Sequence, residues 1–367
     1  MKILHIHMSL VTGGIEAMIN SLANEMAKTH DVSVCSIFEM DENSPFWKSL
    51  DPKIRKISCH KQNKGISLKA IFKIFHFLRK EKFEVVHIHG FFYYYALSIC
   101  LLHRSTRFIY TIHSDANQES AKWDKRLFKL KRLFFRLKWM NAVTISPQSQ
   151  QSFSDLYKLP SYLIPNGIPL PNVSGSKKHL IEKYRITPYT KIFLHIGRID
   201  RSKNQETLCK CFNTLIKNGH DVVLLIAGPN RDENIFKQIS KYFSDRIVYL
   251  DAINDSPEYL ACVDAFVLPS LWEGLPVTLL EAISVGCIPI CSPVGGIPSV
   301  IIDGYNGFLP DSPNEDDFLK AIDQFLCLQQ DEISTISQRA QCMFTAHYSI
   351  EIATKSYIEL YQNKFYE

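Results

Sequence analysis

The stretch that decides the fold runs from Leu268 to Gly286 and reads LPSLWEGLPVTLLEAISVG. The residues before it form a short apolar run, which is typical of a buried parallel strand. Pro276 stands where a helix accepts its first residue, because proline has a fixed φ and no N–H to satisfy. The stretch therefore predicts a strand, a loop and a helix, with Glu273 in the loop and Glu281 about two turns beyond it.

The two glutamates predict a site for a ligand rich in hydroxyl groups. Glu273 lies beside the backbone N–H groups of Gly274 and Leu275, which the start of a helix leaves unused. In an α/β sheet, ligands bind beyond the carboxyl ends of the strands. A carboxylate there can accept hydrogen bonds from both members of a vicinal diol, as a sugar nucleotide offers. The alternative is a pair of solvated glutamates on a surface helix, which is how most glutamates occur.

A longer stretch over residues 269–309 reads PSLWEGLPVTLLEAISVGCIPICSPVGGIPSVIIDGYNGFL and resembles the signature of the retaining glycosyltransferase family four. The glutamate pair, the EGLP loop, the GGIP turn and the DGYNGFL hairpin occur in that family's order. The resemblance implies the α/β GT-B architecture. This has two Rossmann-like doubly wound domains, an interdomain cleft and a C-terminal helix that crosses back to the first domain.

Length and composition agree with two domains. A chain of 367 residues is too long for one ordinary core, and 46% hydrophobic with 22% charged residues is typical of a globular protein. A segment rich in proline, glycine and polar residues follows Ile164, as at a domain junction. With the resemblance, we predict an acceptor-binding domain over 1–170, a donor-binding domain over 171–348 and the crossing helix over 349–367.

Several classes of protein are disfavoured. The longest apolar run, residues 91–102, is too short to span a bilayer and predicts a buried helix. The start, MKILHIHMSL, predicts a strand rather than a secretory signal. The ten cysteines have no metal or disulfide spacing, which indicates reduced thiols in a cytosolic protein. The chain has no recognisable nucleic-acid module, so we expect a cytoplasmic protein with no nucleic-acid partner.

Two motifs predict contacts with a diphosphate. Gly13 and Gly14 follow the first strand, where a helix N-terminus can hold an anion; a tight turn is the alternative, and the family's similar GG loop favours the donor. Arg198 and Lys203 follow a second strand, where fixed cations stabilise the charge on a departing diphosphate; surface charge is the alternative. No convincing Asp-X-Asp motif is present. We therefore expect these cations to replace a metal ion, with no metal and no cofactor.

Histidines mark the first domain. His113 ends a strand, and the resembling family often has a histidine there, close to the donor sugar; a structural role is the alternative. His87 and His89 alternate along another strand and so share a face. They could bind a metal in isolation, but the resemblance favours a structural or acceptor-side role. We expect Glu16 to serve the start of its helix rather than the ligand.

The resemblance also implies roles and a mechanism. It implies that Glu273 orients the transferred sugar and that Glu281 holds the ribose diol. It implies front-face attack, in which the departing phosphate oxygen takes the acceptor proton. The GG turn borders the donor pocket in the family and the DGxNG element is mostly structural. Asp251 stands where members commonly have a glycine near the base, which leaves the identity of the base open.

Residues 122–140 carry eight lysines and arginines and a single acid, Asp124, with apolar residues at helical spacing. A basic helix with aromatic flanks suits an anionic membrane surface. The alternative is a solvated basic face above a buried apolar stripe. This segment predicts a peripheral contact with the inner face of the cytoplasmic membrane.

These features predict a retaining, metal-independent glycosyltransferase with a UDP-sugar as the expected donor. The predicted acceptor is a glycan or a lipid-linked saccharide, in bacterial surface polysaccharide biosynthesis. One alternative is a sugar-nucleotide epimerase of the same architecture, for which no acid/base signature is present. Another is a non-catalytic nucleotide-sugar-binding subunit, against which the set of charged residues argues. A nicotinamide dehydrogenase fits less well, because the glycine fingerprint is missing.

Overall fold

The structure is a computed structural model. It describes residues 1–9, 13–38, 44–61, 67–90, 92–120 and 125–362, without the side chains of residues 45, 46, 120, 125 and 126. The chain divides into two units. The first unit comprises Met1–Pro169 and Ser349–Glu367, and the second comprises Leu170–Tyr348.

The first unit is built on a parallel sheet. Its strands are β1 Lys2–His7, β2 Asp31–Phe38, β3 Arg55–Lys61, β4 Val85–Ile88, β5 Arg107–Ile112, β6 Asn141–Thr144 and β7 Tyr162–Leu163. The order across the sheet is β3-β2-β1-β4-β5-β6-β7. The chain therefore builds one half of the sheet outward from β1 and the other half outward from β4. The point where the direction changes lies between β1 and β4.

The second unit is also built on a parallel sheet with one change of direction in its strand order, and it has fewer strands. They are β8 Lys191–Ile196, β9 Val222–Ala227, β10 Ile247–Asp251, β11 Ala265–Leu268 and β12 Ile288–Cys291. Their order is β10-β9-β8-β11-β12, and all pairs are parallel. The change of direction lies between β8 and β11. Every residue of β9, β11 and β12 is buried, which explains their near-continuous apolar sequences.

Helices connect the strands of both units. Within the described residues they are α1 Gly14–Met26, α2 Pro45–Lys48, α3 Leu68–Glu81, α4 Ala96–Leu102, α5 Ala116–Ser120, α6 Lys125–Arg136, α7 Pro147–Tyr157, α8 Lys177–Tyr184, α9 Gln205–Lys217, α10 Glu233–Ile239, α11 Ser256–Leu260, α12 Val277–Ser284, α13 Glu315–Leu326, α14 Gln330–His347 and α15 Ile350–Gln362. Short 3₁₀ segments cover Phe92–Tyr94, Ser240–Tyr242 and Ile297–Ser299. No helix among the described residues is both long and apolar enough to cross a membrane.

The last helix, α15, belongs to the first unit. The backbone N–H of Ile350 donates to the carbonyl of Ile168 at 2.9 Å, which fixes where the helix begins. Tyr357 and Tyr361 are buried in the core. The hydroxyl of Tyr361 lies 2.6 Å from Nδ1 of His87, so α15 is tied to β4 by a buried hydrogen bond. This confirms the prediction that the C-terminal helix packs on the first domain.

Two local predictions were wrong. Pro276 is not the first helical residue, since α12 begins at Val277 and Pro276 precedes it with an extended ψ of 124°. The φ of proline suits an extended residue as well as a helical one, so the sequence could not separate the two. Residues 91–102 do not form one helix either. The 3₁₀ turn Phe92–Tyr94 precedes α4, which begins only at Ala96, and Phe91 lies outside the described residues.

Candidate active site

The change of direction in the second unit brings together two loops that are far apart in sequence. Because β8 and β11 are neighbours, the loops after their carboxyl ends meet. The backbone N–H of Leu271 donates to the carbonyl of Ser202 at 2.8 Å. The side-chain amide of Asn204 donates to the carbonyl of Pro269 at 3.1 Å. These two hydrogen bonds fix one loop against the other.

Lys203 and Glu273 form an ion pair between these loops. Nζ of Lys203 lies 2.5 Å from Oε1 of Glu273, and the two side chains are only 15% and 11% exposed. The hydroxyl of Ser270 donates to the same oxygen at 2.6 Å. Both hydrogen bonds from described side chains go to Oε1, so Oε2 is the oxygen that can accept from a ligand. Sequence reasoning missed Ser270, whose only signal is its position three residues before Glu273.

The GG turn positions the loop that carries Glu273. Gly295 has a φ of 60°, and a β-carbon there would collide with the carbonyl oxygen of Glu273. The backbone N–H of Gly296 donates to the carbonyl of Gly274 at 2.5 Å. Leu275 is buried and has a partner within the protein, and a contact of its N–H with the donor stays a prediction. The GG turn is thus a backbone support for the EGLP loop.

Each of the two predicted cations, Arg198 and Lys203, lies beside a carboxylate. Arg198 is 58% exposed and lies 3.5 Å from a carboxylate oxygen of Asp200, whereas Lys203 is paired with Glu273. The backbone of Arg198 is held firmly, because its carbonyl accepts from the amide of Gln205 at 2.8 Å. Sequence alone gives no means to see that each cation has a carboxylate beside it.

Glu281 lies on α12 in a separate environment. The hydroxyl of Ser256 donates to its Oε2 at 2.7 Å. Burial is the main cause that raises the pKa of Glu281 to about 7, and the nearby Asp255 adds to the effect. The carboxyl is therefore poised to gain or lose its proton near neutral pH. Ser256 was not singled out by sequence reasoning.

Asp251 ends β10 in the left-handed conformation, with a φ of 57°. Its side chain accepts from the N–H of Ala252 at 2.8 Å, and its carbonyl accepts from the N–H of Gly228 at the same distance. Aspartate is one of the few residues that tolerates this backbone through such local hydrogen bonds. The aspartate therefore keeps a backbone conformation that glycine would adopt.

Histidines fill the corresponding edge of the first unit. Nδ1 of His5 lies 3.2 Å from Nε2 of His89, and Nδ1 of His89 lies 3.1 Å from Nε2 of His113. Nδ1 of His7 donates to the carbonyl of His89 at 2.5 Å. Burial lowers the pKa of both His5 and His113 to about 3 and that of His89 well below its usual value, so these rings are neutral. Sequence reasoning missed His5 and His7.

Three histidines of this cluster have ring nitrogens close enough together to ligate one metal ion. Ring nitrogens of His5, His87 and His89 lie within 4.8 Å of one another. However, His87 uses both nitrogens, with Nδ1 2.6 Å from the Tyr361 hydroxyl and Nε2 2.6 Å from that of Thr111. His89 is likewise bonded at both nitrogens. A network of neutral hydrogen bonds therefore accounts for these two rings.

The GG loop of the first unit carries a carboxylate. Gly13 caps α1, which begins at Gly14, and Thr12 lies outside the described residues. A β-carbon on Gly13 would collide with the carboxylate of Glu16. Oε1 of Glu16 lies 3.7 Å from Nε2 of His7. Glu16 thus serves the helix start, as expected, but it also shapes the predicted phosphate loop.

The basic segment forms α6, with residues 122–124 outside the described chain. Its inner face buries Phe134, Phe135 and Lys131, and Nζ of Lys131 lies 2.8 Å from the carboxylate of Glu119. Its outer face is not purely polar. Leu133 and Leu137 are 42% and 44% exposed there, and the basic residues Lys129, Arg132 and Arg136 are exposed on the same helix.

The fold is shared with glycosyltransferases of solved structure. A glycosyltransferase from Rickettsia africae is 18% identical, with 98% of this chain and 97% of that chain covered and a TM-score of 0.82. HepE from Anabaena, solved in complex with UDP, is 16% identical, with 98% and 99% covered and a TM-score of 0.80. The chain therefore has the GT-B fold of these glycosyltransferases, which confirms the predicted fold.

Sequence comparison narrows this class to a family. Residues 12–171 match the family described as Glycosyltransferase Family 4, and residues 176–341 match Glycosyl transferases group 1. The UDP-Gal:alpha-D-GlcNAc-diphosphoundecaprenol alpha-1,3-galactosyltransferase of Escherichia coli is 26% identical over 350 residues, which cover 88% of this chain and 87% of that protein. The chain belongs to the group 1 glycosyltransferases of family 4.

The contact between the GG turn and the EGLP loop can be tested with matched glycines. Gly295→Ala should cost about 1–3 kcal/mol more than Gly304→Ala, because only the first β-carbon collides with neighbouring backbone. Both glycines have a similar positive φ, 60° and 67°, so the conformational penalty is common to both. Thermal unfolding measures the difference. Equal losses for the two variants would show that the close approach is unimportant.

Proposed function

We propose that this glycosyltransferase transfers a sugar, with retention of configuration, from a UDP-sugar to a lipid-linked saccharide during surface polysaccharide assembly. The observation that carries the proposal is the Lys203–Glu273 pair, held by Ser270 at the change of direction between β8 and β11. This is the position in an open α/β sheet where nucleotides bind. It places a fixed cation and a hydrogen-bond acceptor side by side.

The two members of the pair contact different parts of the donor: Lys203 binds the diphosphate and Glu273 binds the transferred sugar. An ammonium group has three N–H donors, so Lys203 can keep Glu273 and still donate to a diphosphate oxygen. A cation held in advance stabilises the negative charge that grows on the leaving group, without a metal ion. Oε2 of Glu273 accepts from the hydroxyls of the transferred sugar. Arg198, more exposed, adds a second cation once the diphosphate competes with Asp200.

The environment of Glu273 supports front-face attack rather than a covalent glycosyl intermediate. Its carboxylate is neutralised by Lys203 and accepts a further hydrogen bond from Ser270, which lowers its nucleophilicity. The acceptor hydroxyl then attacks from the side of the leaving group. Its proton passes to the departing phosphate oxygen. Glu273 orients the sugar and does not bond to it.

Glu281 binds the ribose of the nucleotide. A vicinal diol donates two hydrogen bonds to a carboxylate, which favours its ionised form. Because burial raises the pKa of the empty carboxyl to about 7, nucleotide binding near neutral pH is accompanied by release of a proton. Ser256 holds the second carboxylate oxygen in place.

Two relatives support the choice of substrates. The Escherichia coli relative is named for UDP-Gal and for a GlcNAc-diphosphoundecaprenol acceptor. HepE was solved with UDP. The outer face of α6 supports a lipid-linked acceptor as well, since Leu133 and Leu137 are exposed on a strongly basic helix. Such a surface binds anionic lipid headgroups and inserts short apolar side chains between them.

The roles of the two glutamates separate in binding and turnover. Glu281→Gln should weaken UDP binding about tenfold, because the ribose loses a charged acceptor. Glu273→Ala should leave UDP binding within about threefold and lower turnover of the UDP-sugar far more, because UDP lacks the sugar that Glu273 holds. Calorimetric titration with UDP, GDP and ADP measures binding, and release of UDP measures turnover.

Glu182→Gln, on the exposed surface of α8, is the matched control and should leave both quantities unchanged. Near-normal binding and turnover in both site variants would remove the assignment. Tighter binding of GDP or ADP than of UDP would contradict the choice of base.

Contact between α6 and a membrane has a direct test. The protein should cosediment with vesicles containing anionic phosphatidylglycerol and not with neutral phosphatidylcholine vesicles. Leu133→Gln combined with Leu137→Gln should reduce binding about tenfold, because insertion of two half-exposed leucines contributes about 1–2 kcal/mol. Leu170→Gln, which changes a leucine exposed elsewhere, is the control. Equal cosedimentation of all three proteins would reject the contact.

A further inference from the structure

Three histidines form a continuous chain of hydrogen bonds that ends at the predicted site residue His113. His5 lies on β1, His89 follows β4 and His113 follows β5. Nδ1 of His5 is 3.2 Å from Nε2 of His89, and Nδ1 of His89 is 3.1 Å from Nε2 of His113. His5 and His89 are fully buried, whereas His113 is partly exposed. The nitrogen of His113 outside the chain is Nδ1.

Counting protons leaves two possible states for this chain. A neutral imidazole carries one N–H and one bare nitrogen, and each of the two bonds needs one N–H. In the first state all three rings carry the proton on Nδ1, and His5 donates to His89, which donates to His113. In the second state all three carry it on Nε2, and the direction of donation reverses. The rings therefore change tautomer together.

His5, at the end of the histidine chain opposite His113, decides which of the two states is favoured. Nε2 of His5 is buried and has no hydrogen-bond partner among the described residues. In the first state this atom is a bare nitrogen, and in the second it is an N–H without an acceptor. Buried N–H groups without an acceptor are rarer in proteins than acceptors without a donor. The first state is therefore favoured.

Among the described residues, the neighbouring histidines His7 and His87 bond to groups other than the ring nitrogens of His5, His89 and His113. His7 donates from Nδ1 to the carbonyl oxygen of His89, and its Nε2 lies 3.7 Å from Glu16. His87 lies against His5 and His89, but its nitrogens are bonded to the hydroxyls of Tyr361 and Thr111. These contacts hold the three rings in place. The direction of donation along the histidine chain is therefore set by His5.

We propose that His5 and His89 are positioning residues that hold His113 as its Nδ1–H tautomer, so that His113 meets the substrate as a neutral hydrogen-bond donor. It then donates to a substrate oxygen and cannot remove a proton from the acceptor. This deepens the proposed function and rests on it, together with the expectation from the family resemblance that His113 lies close to the donor sugar. It agrees with a mechanism in which the departing phosphate oxygen, not a side chain, takes the acceptor proton.

The tautomer itself can be read without any activity. The full-length protein is labelled with ¹⁵N-histidine, and long-range proton–nitrogen correlation spectra distinguish Nδ1–H from Nε2–H rings. His113 is assigned by the signal lost in His113→Asn. The proposal requires a protonated Nδ1 and a bare Nε2 on His113. The reverse pattern would overturn it, as would a stoichiometric metal ion found on these rings by elemental analysis.

Kinetics test whether the tautomer matters. His113→Asn keeps an N–H close to the position of Nδ1 and should retain at least about ten times the kcat of His113→Ala. Equal losses in the two variants would indicate that His113 is a base or has no role. Absence of sugar transfer by the unaltered protein would instead reject the proposed function, and the spectra would still decide the tautomer.

A cycle of substitutions separates positioning from structural damage. His89→Leu frees Nε2 of His113 and should lower kcat about tenfold, with the KM for the donor within about twofold. In the His113→Asn background the same substitution should change kcat less than about twofold, because the amide N–H does not depend on His89. Equal losses of kcat in both backgrounds would mean that His89 only supports the fold, which would overturn the proposal.

Discussion

One buried ion pair, between Lys203 and Glu273, organises the loops that follow β8 and β11 in the second unit. Burying two charges away from water costs free energy, which their mutual attraction offsets. Removing one partner leaves the other as an unpaired buried charge, and this destabilises the fold strongly. The surrounding structure therefore holds both partners closely: Ser270 bonds to the carboxylate, and the GG turn supports the backbone of Glu273. Such a pair is poised for a ligand that brings its own negative charge and its own hydroxyls.

The two units use the same position in their sheets but different electrostatics. In the second unit the change of direction between strands carries paired charges, and a carboxyl whose pKa is raised to about 7 lies on the following helix, α12. In the first unit it carries neutral imidazoles, because burial lowers the pKa of His5, His87 and His89. Charged groups suit an anionic nucleotide. A neutral network of donors and acceptors suits the hydroxyl groups of a saccharide.

Local features of the site were predictable from the sequence, and pairings across the sheet were not. The EGLP loop, the GG turn and the strand before Arg198 follow from residue order and backbone preference. The Lys203–Glu273 contact joins residues 70 positions apart and depends on which strands are neighbours. The histidine chain was foreshadowed by the repeated HIH pattern of β1 and β4, since His5 lies opposite His87 in the sheet. The pattern could be interpreted only once it was known that β1 and β4 are neighbouring strands.

The most direct measurement of the central claim is the affinity for UDP of Lys203→Met. The account predicts binding at least about tenfold weaker than in the unaltered protein, because a fixed cation beside the diphosphate is lost. Lys210→Met, which removes a lysine from an exposed pair on α9, should bind UDP normally. Undiminished affinity in a folded Lys203→Met protein would contradict the claim that Lys203 of this ion pair binds the diphosphate.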